Sequence, residues 1–346
     1  MRKLIAIVMV LLHSAILYGC SESAQDVSGA KPLIGFSMAT FKEDRWLQDR
    51  DILTAKAKQE GFDILVSNAN NDPDAQYTQV LDMIQRGIDV LILVPQDYSL
   101  AASCVEAAHK KGIPVLSYDR LVRSANVDAY ISFDNVKVGE LQARALLQAV
   151  PRGGYLIING SQNDYNSKMF NEGYMNVLQP YIDKGKITIA DEIWVEDWRK
   201  ETAFAFTAEN LKEDADGIQA ALANNDSLAG AAIEAISEAT LTGKVQVAGV
   251  DADLTACQRI VEGTQFFTTY KPIKALADET VNACKALLNQ EPLSYTKTIN
   301  DGTYDVPYIM IDVIPVTKDN MGDTVIKDGF QLKEDVYRTS ETDNPT

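Results

Sequence analysis

Short apolar runs recur along the chain, separated by stretches of helical spacing, and several of the runs stop abruptly on hydrogen-bonding side chains. The clearest is Ile113-Pro114-Val115-Leu116-Ser117-Tyr118, which ends on the adjacent acid and base Asp119-Arg120. The same pattern closes residues 156–158 on Asn159 and the polar loop 160–166, residues 220–223 on Asn224-Asn225-Asp226, residues 245–250 on Asp251, and residues 266–270 on Lys271. Parallel strands of an open α/β sheet present their carboxyl ends to the ligand crevice, so these endings predict one polar pocket built by many loops.

The pattern along the chain predicts strands at 31–38, 62–66, 90–94, 113–118 and 127–133, with helical runs between them, including 72–86 and 100–111. A helix over 138–150 follows, and the rhythm then restarts: strands at 155–158, 187–195, 218–223, 245–250 and 265–270 alternate with helices at 167–182, 200–211, 227–241 and 254–261. Such alternation implies right-handed βαβ crossovers and parallel sheets. Two halves of similar length predict an α/β fold of two doubly wound parallel-sheet lobes, with no residue-level repeat between them. Pro272 opens a last long helix over 273–288, since proline is well tolerated in a first turn. Residues 295–316 read as extended segments, and 317–333 as turns and short strands.

Composition narrows the function classes. With 346 residues the chain exceeds the length at which one core usually stops growing, and domains of about 150 residues are expected. A formal charge of −17 argues against a nucleic-acid partner, because phosphate recognition needs a basic face. At the N-terminus, Arg2-Lys3 precede an apolar stretch over 4–17, shorter than the roughly 20 residues of a membrane-spanning helix, which is the layout of an export signal. Leu17-Tyr18-Gly19-Cys20 resembles a lipobox, which implies a lipoprotein signal peptide over 1–19, lipidation at Cys20 and a polar tether over 20–30. Cys104, Cys257 and Cys284 are an odd set without tight spacing in helix-like segments, so buried free thiols are expected. His13 and His109 alone leave little material for a zinc site, and no metal or cofactor is expected.

The strand-end residues suit carbohydrate. Trp46 and Trp198 follow strands in different halves, and a wide indole can stack on the C–H face of a sugar ring, although a Trp in a loop is often a packing residue. Asp119-Arg120 is a surface ion pair or, in a dry cleft, a set of charged acceptors and planar donors for vicinal hydroxyls. Asp251 and Lys271 offer a second such set, and Asn166 and Asn225 add neutral amides. Glycoside hydrolysis needs one carboxyl protonated and another ionised, whereas Asp119 and Asp251 each have a candidate cation beside them. The chain has no Gly-rich phosphate loop after its first strand and no histidine in the predicted pocket, so catalysis is not expected.

From about residue 31 to 330 the chain resembles the periplasmic sugar-binding proteins of ABC importers. The resemblance rests on Arg45-Trp46-Leu47-Gln48-Asp49-Arg50-Asp51, Tyr118-Asp119-Arg120, Tyr130-Ile131-Ser132-Phe133-Asp134-Asn135 with Lys137-Val138-Gly139-Glu140-Leu141-Gln142-Ala143, Asn225-Asp226, Asp251-Ala252-Asp253-Leu254, Tyr270-Lys271-Pro272-Ile273 and Thr324-Val325-Ile326-Lys327-Asp328-Gly329-Phe330. It implies that Trp46 and Trp198 stack on a pyranose while Arg45, Asp119, Arg120, Asn166, Asn225, Asp251 and Lys271 bond its hydroxyls. The implied sugar is D-xylose, although the loop Gln162-Asn163-Asp164-Tyr165-Asn166 departs from the family pattern and could reshape that wall.

The implied architecture is the type I periplasmic binding protein fold, two lobes joined by three crossing segments. The N-terminal lobe is expected to hold 31–133 and 271–298, the C-terminal lobe 134–270 and 299–330, with a tail over 331–346 and the third crossing around 300–304. Hinge closure over the sugar, a monomeric state, location outside the cytoplasm on a lipid anchor, and delivery to an ABC permease follow from the same resemblance. A sensing lobe that presents sugar to a chemoreceptor or sensor kinase stays open, as does a different pentose or hexose. A repressor of the same fold is disfavoured, since an export signal stands where a helix-turn-helix would be needed.

Overall fold

The computed structural model describes residues 31–295 and 297–338. Its first half runs β1 (Leu33–Met38), α1 (Asp44–Gln59), β2 (Asp63–Asn68), α2 (Pro73–Gln85), β3 (Val90–Leu93), α3 (Ala102–His109), β4 (Val115–Tyr118) and β5 (Ala129–Phe133). The second half repeats the alternation with α4 (Asn135–Ala149), β6 (Gly153–Asn159), α5 (Tyr165–Ile182), β7 (Ile187–Trp194), α6 (Lys200–Asp214), β8 (Ile218–Ala223), α7 (Asp226–Glu238), β9 (Gln246–Val250), α8 (Leu254–Glu262) and β10 (Phe267–Tyr270). The chain then forms α9 (Ile273–Leu288), β11 (Lys297–Asn300), β12 (Asp305–Ile311), β13 (Ile314–Val316) and α10 (Lys333–Tyr337).

Among the described residues these strands make two sheets, in the orders β11-β12-β5-β4-β3-β1-β2 and β13-β10-β9-β8-β6-β7. All neighbours are parallel except β11 with β12 and β13 with β10. Strands of a parallel sheet are covered on both faces, so they read as continuous apolar runs, and the side chains of β3 separate accordingly. Val90 and Ile92 enter one apolar cluster with Ile34, Phe36 and Leu53, while Leu91 and Leu93 enter another with Val80 and Val105 on the opposite face. The second sheet is sandwiched in the same way, Ile157 and Leu222 on one side and Leu156 and Ile158 on the other. Cys104, Cys257 and Cys284 are buried free thiols, as the sequence implied.

The chain passes between the sheets at residue 134, at residues 271–272 and at residues 312–313. The last position corrects the expected boundary. A division at 298/299 cuts through β11, and β12 pairs in parallel with β5, with Tyr308 beside Tyr130 and Ile311 beside Phe133. Residues 300–304 are a hairpin turn of the first lobe instead. The Asp301 carboxylate accepts from the Thr303 and Tyr304 amides at 2.9 and 2.7 Å and from those of Ala125 and Asn126 at 2.9 and 3.1 Å, which ties the turn to the loop after β4. The tail expected from residue 331 is also partly structured: Val336 of α10 is buried with Cys257 and Ile260 of α8.

The first two helices of the second lobe, α4 and α5, meet at glycines. A Cβ on Gly139 would lie 2.1 Å from the Phe170 carbonyl oxygen, and one on Gly173 would lie 2.1 Å from that of Val136. Backbone on both sides leaves no side chain to swing away. In an open helix Gly→Ala is worth about 1 kcal/mol in favour of alanine, whereas overpacking costs about 1–3 kcal/mol. We expect the second effect to win: Gly173→Ala should lower the urea midpoint, and a raised midpoint would show that α4 and α5 can separate freely.

Candidate functional site

The nine side chains singled out from the sequence meet in one small cavity of about 30 Å³, walled also by Glu43, Asp164, Phe170 and Asn224. It lies at the carboxyl ends of both sheets, where the strand endings had placed it.

The first lobe contributes α1 and the end of β4. Arg45 and Trp46 stand in the first turn of α1, one helical turn before Asp49. The buried Arg45 guanidinium reaches three carboxylates: Nε is 3.0 Å from Asp49 Oδ2, Nη1 is 3.4 Å from Asp251 Oδ1, and Nη2 donates to Asp119. Asp49 also accepts from the Tyr118 hydroxyl. Burial, aided by the neighbouring Asp119 charge and opposed by Arg45, pushes the Asp49 carboxyl up to about 6.

Asp119 follows β4 in a left-handed conformation, φ 58°. Its carbonyl oxygen accepts from Tyr130 Oη at 2.9 Å, Ser132 Oγ at 2.6 Å and Asn166 Nδ2 at 3.2 Å, a grip that holds the turn in place. Its carboxylate accepts from Arg45, from Lys271 Nζ at 3.2 Å and from Asn166 Nδ2 at 3.0 Å. Burial alone would raise this carboxyl, but Arg45 and Lys271 outweigh it and hold Asp119 well below the usual range. Arg120 Nε lies 2.7 Å from Asp164 Oδ2 of the second lobe.

The second lobe supplies the opposite wall. Asn166 opens α5, with Asn135 Nδ2 donating to its Oδ1 at 2.9 Å. Asn225 is the N-cap of α7 and spends its Oδ1 on the Leu228 amide at 2.8 Å, so its NH2 group is the half available to a ligand. Asp251 follows β9 at φ 98°, and Lys271 follows β10, with Nζ 3.8 Å from Asp251 Oδ1. Backbone strain of this kind collects where side chains must be aimed at a ligand.

The two tryptophans differ. Trp46 is 5% exposed and belongs to the first lobe's apolar cluster, with Arg45 and Arg120 guanidinium carbons 4.7 and 5.0 Å from its ring centroid. Trp198 is half-buried in the short 3₁₀ turn Glu196–Trp198, with Asp197 and Trp198 themselves in left-handed conformations. Its indole lies on Gly160, where a Cβ would come within 2.1 Å of the ring. Across the cleft Lys42 Nζ donates to the Asp197 and Trp198 carbonyls at 2.8 and 3.3 Å.

Four wall residues escaped the sequence reading. Asn224, whose side chain accepts from the Gly160 amide at 2.8 Å, stood beside Asn225 in the same strand-end pattern. Asp164 caps α5 through the Asn166 amide, a role its position three residues before a helical run could have signalled. Phe170 and Glu43 carry no such signal. Cys20 lies outside the described residues.

The comparisons agree with this geometry. Residues 34–292 match the family described as periplasmic binding protein domain. The D-xylose-binding periplasmic protein of Escherichia coli K12 is 42% identical over 335 residues, covering 96% of this chain and all of the relative. Its namesake from Haemophilus influenzae is 39% identical, covering 97% and 99%. Among solved structures, a carbohydrate transporter solute-binding protein from Chloroflexus aurantiacus, in complex with D-glucose, superposes with a TM-score of 0.85 at 29% identity over 89% of this chain and 98% of that one. With the match running through both lobes, the chain belongs to the periplasmic binding protein family.

Proposed function

We propose that this protein is an extracytoplasmic receptor that captures a monosaccharide, D-xylose, by closure of its two lobes and delivers it to an ABC importer. The observation that carries the reading is the convergence of paired charges, amides and an indole face from both lobes on one small cavity. D-xylose comes from the two relatives that bear its name at 39 and 42% identity over nearly their whole length.

The mechanism follows from the donor and acceptor sets. A sugar hydroxyl both donates and accepts, so a carboxylate beside a guanidinium or ammonium satisfies it in both directions. Arg45, Asp119 and Arg120 do this from the first lobe; Asn166, Asn225 and Asp251 do so from the second, with Lys271 at the crossing between them. Trp198 and Trp46 supply apolar faces for the ring. Both sets reach one ligand only when the lobes are together, so binding favours the closed form by its differential contacts. A membrane permease would read that closed shape.

Binding without catalysis suits the electrostatics, because Asp119 is kept ionised and cannot serve as a general acid near neutral pH. The lipobox supports anchoring through Cys20, and a receptor of this kind works as a monomer.

Titration calorimetry with D-xylose, D-ribose, L-arabinose and D-glucose should show D-xylose binding tightest; another sugar outbinding it would overturn the specificity. Trp198→Ala should weaken sugar binding by at least the roughly 1 kcal/mol of an aromatic contact, about fivefold, and unchanged affinity would remove the indole from the site. Asp119→Asn leaves Arg45 and Lys271 facing a neutral amide, so stability should fall by about 3 kcal/mol, the scale of a broken buried pair. Because the folded carboxyl titrates below its unfolded value near 3.9, its contribution is complete above about pH 4 and is lost as pH falls further. Chemical denaturation at several pH values should therefore show the variant's deficit shrinking below pH 4; a deficit unchanged with pH would contradict this account.

A further inference from the structure

Apart from Arg120 Nε, which faces the Asp164 carboxylate at 2.7 Å, two polar atoms in the cavity wall are buried and lack a hydrogen-bond partner among the described residues: Oε2 of Glu43 and Nε1 of Trp198. They are an acceptor from the first lobe and a donor from the second. Leaving either group unpaired in the interior carries its full desolvation cost, so their retention on one small wall calls for an explanation.

Glu43 is placed for something other than helix capping. It is the N-cap of α1 but not one of the short side chains that cap well, and its carboxylate makes no capping bond. The segment is also held in place. Lys42, one residue earlier, donates to the Asp197 and Trp198 carbonyls, which fastens this loop to the turn that carries the indole. Gly160 seats the ring itself at a distance no side chain would allow. Burial raises the Glu43 carboxyl above the ordinary glutamate range, against the pull of Arg120 and Lys42.

We propose that Glu43 and the Trp198 indole N–H are a further hydroxyl-recognition pair of the sugar site, the carboxylate accepting a ligand O–H and the indole donating to a ligand oxygen. A hydroxyl is the neutral group able to satisfy both atoms, since it donates one proton and offers two lone pairs. The pair acts as a specificity determinant: a ring lacking that hydroxyl leaves both protein atoms unpaired, and sites built this way reject the deoxy analogue strongly. This rests on the reading of the cavity as a monosaccharide site.

The test is a cycle between protein and ligand. The unaltered protein, Glu43→Gln, Glu43→Leu and Trp198→Phe are titrated calorimetrically with D-xylose and its monodeoxy analogues, and circular dichroism confirms that each variant is folded. For the unaltered protein one analogue should bind at least about tenfold more weakly than D-xylose, the scale of a charge-assisted hydrogen bond. Glu43→Leu should lose a similar factor for D-xylose but nothing further for that one analogue, and Glu43→Gln, which keeps an acceptor oxygen, should lose less. Trp198→Phe should show the same selective insensitivity. Unchanged affinity in Glu43→Leu, or equal losses for every analogue, would overturn the pair while leaving the sugar site intact. If Glu43→Leu does not fold, the same comparison with Glu43→Gln decides. Failure of the unaltered protein to bind any sugar would instead overturn the monosaccharide reading, and this proposal with it.

Discussion

The structure depends on a cluster of charges that are affordable in the interior only because each has a partner. Arg45 sits among Asp49, Asp119 and Asp251, and Lys271 among Asp119 and Asp251. An ion withdrawn from water costs several kcal/mol unless its geometry is well matched. Matching these groups requires residues far apart in sequence to arrive together: α1, the ends of β4 and β9, and the crossing after β10. The fold is the device that delivers them. Two parallel sheets with their carboxyl ends turned to one crevice bring five or more loops to the same place, and the charges then hold the loops there.

The pairing is also what makes the site bipartite. Asp119 and Arg45 belong to the first lobe, and Asp251 to the second; Asn166 and Asp164 of the second lobe bond Asp119 and Arg120 of the first. Contacts of this kind form only when the lobes are together, and in an open form the same groups would be hydrated. Water would then replace part of what the other lobe supplies, which offsets the cost of separating them. A ligand that adds bonds to both lobes has leverage over such a balance, which a ligand touching one lobe does not.

Much of this was legible in the sequence because strand ends carry a simple signal. An apolar run that stops on Asp119-Arg120 or Asp251 can be seen without knowing the fold, and the recurrence of such endings identified the cavity wall. What the sequence does not carry is the partner of an edge strand. Residues 297–311 read as extended, but nothing in Lys297–Asn300 or Asp305–Ile311 says that β12 joins β5 and not the second sheet, so the third crossing was placed too early. Asp301 gave no warning of its tie to the first lobe either, since two of its four amide partners, Ala125 and Asn126, come from a distant segment. Glu43 was illegible for a different reason. In the run Lys42-Glu43-Asp44 a glutamate reads as solvated surface, yet one of its carboxylate oxygens is buried in the fold.

The charge pattern also constrains the class of ligand more tightly than the cavity volume does. Three cations line the wall, Arg45, Arg120 and Lys271, and each already has a carboxylate within 4 Å. An anionic ligand such as a sugar phosphate or a carboxylate would have to displace those partners and would meet Glu43, Asp119, Asp164 and Asp251 across the same small space. A cationic ligand would face the converse conflict with guanidinium groups stacked near Trp46. A neutral polyol avoids both, because its hydroxyls can insert into existing charge pairs as donor and acceptor together without breaking their overall balance. The two indoles fit the same logic. Trp46 is flanked by two guanidinium groups and Trp198 is seated on Gly160, and in the proposed reading each offers an apolar face to the ring.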